Sequence, residues 1–275
     1  MTLPNFLVIG AAKGGTTSLF HYLRQHPDIY MSPMKEPNYF TDEDQLFGKK
    51  SVRSRSEYER LFDGVRDEHA IGEATPRYLN AIGGVDRIHA DLPGVRLIAT
   101  LRQPADRGYS AYQMRFTDSR EYLSADEVLQ PGNYQFESGL YHAKLRRYFD
   151  TFPREQIKVI LFDDLITRPK DTVQSLYRFL GVDPDFAVDT SIQFNRTFLP
   201  RFVRLTRFFN ATASSWARIA PWASGTGLGT PLRRLLLRKP DPMPPALRRR
   251  LTDQYRDDII ATGELIGRDL SHWLT

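Results

Sequence analysis

Short apolar runs recur along the chain, separated by stretches whose apolar residues return every three or four positions. The runs at 6–9 (FLVI), 70–72 (AIG), 95–101 (VRLIATL) and 157–162 (IKVILF) predict buried strands. Between and after them, 141–149 and 173–180 show helical spacing, and Gly181 follows the second as its stop signal. A first helix is expected from Thr16 to near His26-Pro27. The 246–274 stretch is again helical and amphipathic and closes on Trp273 and Leu274. Strands alternating with helices imply a three-layer α/β/α fold around a central, mostly parallel sheet. In such sheets ligands bind beyond the carboxyl ends of the strands, where the loops at Gly10, Glu73 and Arg102 should converge.

The pattern breaks once. Arginines at 201, 204, 207, 218, 233, 234 and 238 alternate with Phe, Trp and Leu, and prolines at 240, 242, 244 and 245 then mark a loop. With no internal repeat, 1–275 reads as one domain carrying a basic lid or insertion at about 199–245.

Composition narrows this picture only a little. At 41% hydrophobic and 26% charged over 275 residues, the chain has enough apolar content for a large core. No apolar run is long enough to span a bilayer. The first strand begins within a few residues of Met1, so no signal peptide is expected. Without cysteine there is neither a disulfide framework nor a thiolate metal site, and the simplest expectation is a cytoplasmic setting. The net charge of +5 suits a polyanionic ligand; an acidic membrane surface or a nucleic acid would also fit it.

The chemistry concentrates at 6–19, FLVIGAAKGGTTSL. A strand, a glycine-rich turn and a helix start together make an anion cradle of backbone N–H groups and helix dipole. The spacing is close to the phosphate-binding pattern G-x-x-x-x-G-K-[ST], with Gly10, Gly15 and Thr17 in register. The lysine position, however, holds Thr16, and the loop's lysine is Lys13, three residues earlier. The cradle is kept and the cation is moved, which suggests a nucleotide whose reacting group is not a magnesium-bound γ-phosphate. The bland alternative is an ordinary strand-to-helix turn using glycine for positive φ.

Three further clusters stand out. Pro37 biases Glu36 towards extended geometry on a loop, where its carboxylate is either a general base or a solvated surface group. Arg102 ends a buried strand, with Asp106 and Ser110 following. The Arg–hydroxyl combination suits a second phosphate, and an edge arginine paired with Asp106 is the equal alternative. His142 begins a helix and reads as structural. The other histidines show no metal-ligand spacing.

The order of these clusters resembles the sulfotransferases that use 3′-phosphoadenosine 5′-phosphosulfate (PAPS), above all the heparan sulfate sulfotransferase domains and their bacterial relatives. It runs G-x-x-K-G-G-T-T-x-L at 10–19, His26-Pro27, Lys35-Glu36-Pro37, E-x-[ST]-P-x-Y at 73–78, and R-x-P-x-x-R-x-x-S-x-Y at 102–112. The match extends over about 5–185. It implies that Lys13, Gly14, Gly15, Thr16, Thr17 and Ser18 hold the 5′-phosphosulfate and that Arg102 and Ser110 hold the 3′-phosphate. It further implies Glu36 as base and acceptor contact, with Ala74, Thr75, Pro76 and Arg77 lining the acceptor site. On this resemblance PAPS is the co-substrate, 3′-phosphoadenosine 5′-phosphate (PAP) the product, and no metal is required. Sulfuryl transfer leans on positioning and charge stabilisation, with Lys13 at the departing phosphate. The acceptor would be a hydroxyl or amine of a carbohydrate, lipid or small metabolite. Nucleic acid is not expected as a partner, and the 199–239 stretch suits either an acceptor-site lid or a peripheral membrane contact.

The chain departs from the resemblance at Ala74, where several heparan-type enzymes carry a lysine, and at Asn38, where they carry a histidine. The competing readings are a P-loop nucleotide-dependent kinase, disfavoured by the displaced lysine and the lack of an evident second acidic motif, and a non-catalytic basic binding protein.

Overall fold

The computed structural model describes residues 2–42, 51–117, 123–191, 199–200, 237–238 and 241–275. Five parallel strands form its central sheet: β1 (Phe6–Gly10), β2 (Ile29–Met31), β3 (Ala70–Ala74), β4 (Arg96–Leu101) and β5 (Ile157–Leu161), in the order β2-β3-β1-β4-β5. β1 lies in the middle, with Phe6 level with Gly72 of β3 on one side and Arg96 of β4 on the other.

Alternation along β1 separates the two faces of the core. Leu7 and Ile9 join Leu97, Ala99 and Leu101 on one face, with Tyr148, Leu251 and Tyr255 packed against them. Phe6 and Val8 join Ile98 and Ile160 on the other, under Leu19, Leu23, Val173 and Leu176. Because both faces are covered, the strands read as nearly unbroken apolar runs.

The helices are α1 (Thr16–Leu23), α2 (Arg55–Arg60), α3 (Gly84–Asp91), α4 (Pro104–Thr117), α5 (Ala125–Val128), α6 (Tyr134–Glu137), α7 (His142–Thr151), α8 (Phe162–Thr167), α9 (Pro169–Leu180) and α10 (Pro245–Ile266). Several ends differ from expectation for local reasons. α9 starts earlier than its apolar spacing suggests because Pro169 occupies the first helical position, where no N–H is needed. It stops at Gly181 with φ 78°, as expected. Phe162 opens α8 instead of closing β5. The 246–274 stretch divides at Gly267 (φ 67°), after which Ser271–Leu274 forms one 3₁₀ turn.

Of the basic insertion, 201–236 and 239–240 lie outside the described residues. At its ends, Leu199–Pro200 (β6) and Leu237–Arg238 (β7) pair antiparallel. No helix among the described residues is long and apolar enough to cross a membrane.

Candidate active site

The β1 carboxyl end feeds a loop tied to β4. The Ala11 N–H donates to the Thr100 carbonyl (2.7 Å), the Gly14 N–H to the Ala11 carbonyl (2.9 Å), and the Thr100 hydroxyl to the Gly14 carbonyl (2.7 Å). Two glycines are required by space and by φ. A Cβ at Gly14 would lie 2.5 Å from the Thr100 carbonyl oxygen. At Gly15, φ is 94°, and a Cβ would meet Leu165 and Phe162 at 2.9 Å. Lys13 is itself left-handed, at φ 71°. A non-glycine residue held there costs about 1 kcal/mol or more, so the surrounding fold fixes this conformation. The Lys13 Nζ donates to the Met114 sulfur of α4 at 3.6 Å. α1 begins with no side-chain cap and no acidic residue in its first turn. Its leading N–H groups have no intrahelical partner, and its positive dipole end is uncompensated by side chains of that turn.

Beside this loop lies a cavity of about 1000 Å³. Lys13, Gly15, Thr16, Thr17 and Ser18 line it from the cradle, Glu36, Pro76 and Arg77 from the β2 and β3 side, and Arg102 and Ser110 from β4 and α4. Most of the residues singled out from sequence are thus brought together. Gly14 turns its back on the cavity and packs on Thr100. Ala74 and Thr75 are also absent from the cavity wall, and both are fully buried. The expected acceptor segment 74–77 therefore reaches the cavity only through Pro76 and Arg77.

Glu36 is held by its neighbours' backbone. Its N–H donates to the Ala74 carbonyl (3.1 Å), and its own carbonyl accepts from the Asn38 side-chain amide (2.6 Å). Both Glu36 (φ 60°) and Asn38 (φ 57°) are left-handed. The extended geometry expected for Glu36 from Pro37 is therefore not adopted; contacts to β3 override the local preference. Lys35 Nζ lies 3.2 Å from Glu36 Oε1, with both side chains three-quarters buried.

Behind them, Glu73 is fully buried and accepts from the Thr75 hydroxyl (2.8 Å) and the Tyr58 hydroxyl (3.3 Å). Burial pushes its carboxyl up to about 7, and these hydrogen bonds oppose the shift only in part.

Arg102 leaves β4 with its guanidinium over the Phe162 ring, 4.8 Å from the centroid, and its carbonyl accepts from the Tyr141 hydroxyl (2.8 Å). Burial lowers the pKa of its guanidinium, and the charges of Asp106, Tyr141 and Asp163 act in the opposite sense. The edge pairing of Arg102 with Asp106 is not what forms; Asp106 pairs with Arg248 of α10. Three wall cations went unassigned from sequence: Lys35, Arg107 and Arg248. The first two stand inside motifs already quoted, so their position carried a signal. Arg248 comes from 146 positions beyond Arg102 and carried none. Among the described residues, no group of three or more His, Asp or Glu is placed to hold a metal ion.

These features define a class: an α/β protein with a glycine-loop anion cradle and arginines at the carboxyl edge of a parallel sheet. The sulfotransferase family model matches residues 75–186. The crystal structure of a sulfotransferase from Alicyclobacillus acidocaldarius is 34% identical, covers 100% of both chains and superposes with a TM-score of 0.77. The chain belongs to the sulfotransferase family. Human heparan sulfate glucosamine 3-O-sulfotransferase 6 is 28% identical over 92% of this chain and 69% of that relative. The membrane-associated sulfotransferase kil1 of Dictyostelium discoideum is 33% identical over 50% of this chain, a match that spans only 27% of that relative's length.

Proposed function

We propose that this sulfotransferase moves a sulfuryl group from PAPS to a hydroxyl of a carbohydrate acceptor and releases PAP. One observation carries the reading: Lys13, Glu36 and Arg102, each following a different strand, line one cavity with the uncapped start of α1. The cradle fits a phosphosulfate because Gly14, pressed on Thr100, and Gly15, at φ 94°, hold the loop in a shape that a Cβ at either position would push away from β4 or from α8. Thr16, Thr17 and Ser18 add hydroxyls at the same helix start. Arg102 and Ser110 contact the 3′-phosphate, for which a guanidinium fork is well matched.

In the transfer, Glu36 takes the proton of the acceptor hydroxyl as its oxygen bonds to sulfur. The bond from sulfur to the bridging oxygen breaks, and Lys13 offsets the charge gained by the departing 5′-phosphate. Lys35 pairs with Glu36 at 3.2 Å and so places a cation beside the carboxylate that accepts the proton. The carbohydrate acceptor is supported by the similarity to the heparan sulfate glucosamine 3-O-sulfotransferase.

The test offers PAPS carrying radioactive sulfur to a panel of uronic-acid glycans, neutral sugars, phenols and lipids. Label should appear in a glycan, and Glu36→Gln should reduce the amount. No label in any acceptor, together with phosphate transfer from ATP and magnesium, would replace this reading by the kinase alternative.

A further inference from the structure

Arg102 belongs to a closed ring of contacts that reaches a turn remote in sequence. The residue after it, Gln103, is buried, and its side-chain amide does two things. The oxygen accepts from the Asp106 N–H (2.8 Å) at the start of α4, and the nitrogen donates to the Trp273 carbonyl (3.1 Å). Trp273, also buried, donates its indole N–H to Asp163 Oδ2 (2.7 Å). Asp163 follows Phe162, the ring over which the Arg102 guanidinium lies. The circuit therefore runs from Arg102 through Gln103, Trp273, Asp163 and Phe162 back to Arg102. His272 approaches the same Asp163 oxygen at 3.4 Å, and the Tyr141 hydroxyl holds the Arg102 carbonyl from the α7 side.

The chemistry of the ring points to orientation. An arginine has a long, rotamer-rich side chain, and holding it for a phosphate costs entropy unless its surroundings fix it beforehand. Here the ring fixes both ends, the backbone through Gln103 and Tyr141, and the guanidinium through Phe162. Trp273 connects the two by a donor and an acceptor of its own, so its indole N–H has a purpose beyond filling the core.

We propose that Gln103 and Trp273 are positioning residues for the 3′-phosphate of the donor, acting through Arg102. The proposal rests on the reading of Arg102 as a 3′-phosphate contact. Neither residue touches the nucleotide; each sets where Arg102 stands when the nucleotide arrives.

The test is calorimetry of the full chain with PAP and with 5′-AMP, which lacks the 3′-phosphate. Trp273→Phe keeps an aromatic ring in the core and removes the N–H. Gln103→Met keeps the length and removes both amide bonds. A general loss of stability weakens both ligands together, whereas a misplaced Arg102 weakens PAP alone. Each variant should lower the PAP preference over 5′-AMP by about five- to tenfold, the scale of one hydrogen bond. Arg102→Ala should lower it further. If Arg102→Ala removes the preference while Trp273→Phe and Gln103→Met keep the wild-type value, the ring has no positioning role. If Arg102→Ala itself leaves the preference unchanged, Arg102 is not the 3′-phosphate contact, and the ring proposal falls with it.

Discussion

Gly14→Ala is the smallest change that should damage the cradle, and the structure allows its effect to be worked out. Gly14 has no positive φ, so the added methyl meets no backbone objection; the obstacle is space alone. The new Cβ would lie 2.5 Å from the Thr100 carbonyl oxygen and 3.0 Å from that of Ala11, with only backbone atoms on that side to yield. Relief requires the loop to move away from β4 by about half an ångström, and overpacking of this kind costs about 1–3 kcal/mol. The same displacement lengthens the 2.7 Å bond from the Thr100 hydroxyl to the Gly14 carbonyl, whose partial loss adds about 1 kcal/mol. The expected total is about 2–4 kcal/mol of stability, read as a lower urea midpoint with unchanged slope. PAP affinity should fall by about tenfold or more, because Lys13 and Gly15 move with Gly14. Gly94→Ala is the internal control, since a Cβ there meets nothing within 4 Å. A Gly14→Ala protein that unfolds at the midpoint of Gly94→Ala and binds PAP like the wild type would refute the account of the loop.

Three further outcomes follow from the site. Lys13→Ala should lower turnover by about 10²–10³, the cost of losing one charge stabiliser at the leaving group, as measured by release of PAP. Glu36→Gln should lower it by about 10²–10⁴ with PAP affinity unchanged by calorimetry, because only the proton acceptor is lost. Glu73 gives stability a pH dependence. Its carboxyl is raised in the fold to about 7 from an ordinary 4.5, so the folded chain holds this proton longer than the unfolded one. Its contribution is therefore fully present below the ordinary value and is lost as pH rises through about 7, by about 3 kcal/mol. Glu73→Gln stays neutral and should remove that slope between pH 5 and 8 in urea unfolding; an identical slope in the variant would contradict the assignment.

Much of the frame was legible because a sheet covered on both faces writes its strands as apolar runs, and β1, β3, β4 and β5 all appear as such. β2 was not, since Ile29–Met31 is a three-residue edge strand whose pairing to β3 supplies what its length cannot. The cradle was legible from glycine spacing alone, because close approach and positive φ leave few alternatives there. Side-chain partners were much less so. Asp106 stands four residues from Arg102, yet its partner is Arg248, brought by a helix far along the chain. The same holds for Glu73, next to the expected acceptor segment: it is fully buried and accepts from Tyr58, a residue of α2 that no local pattern brings to it. Ala74 and Thr75 show the converse, as strand alternation and the turn after it point them into the core while Pro76 and Arg77 reach the cavity.

The displaced lysine is central to the proposed function, in which the donor is a phosphosulfate and not a magnesium-bound triphosphate. The direct measurement is calorimetric titration of the full chain with PAP in the presence of EDTA, set against titration with ATP in the presence of magnesium. PAP should bind in EDTA, ATP with magnesium should not displace it, and Arg102→Ala should weaken PAP by about 1.5–3 kcal/mol. Binding of ATP that depends on magnesium, with no heat from PAP, would contradict it.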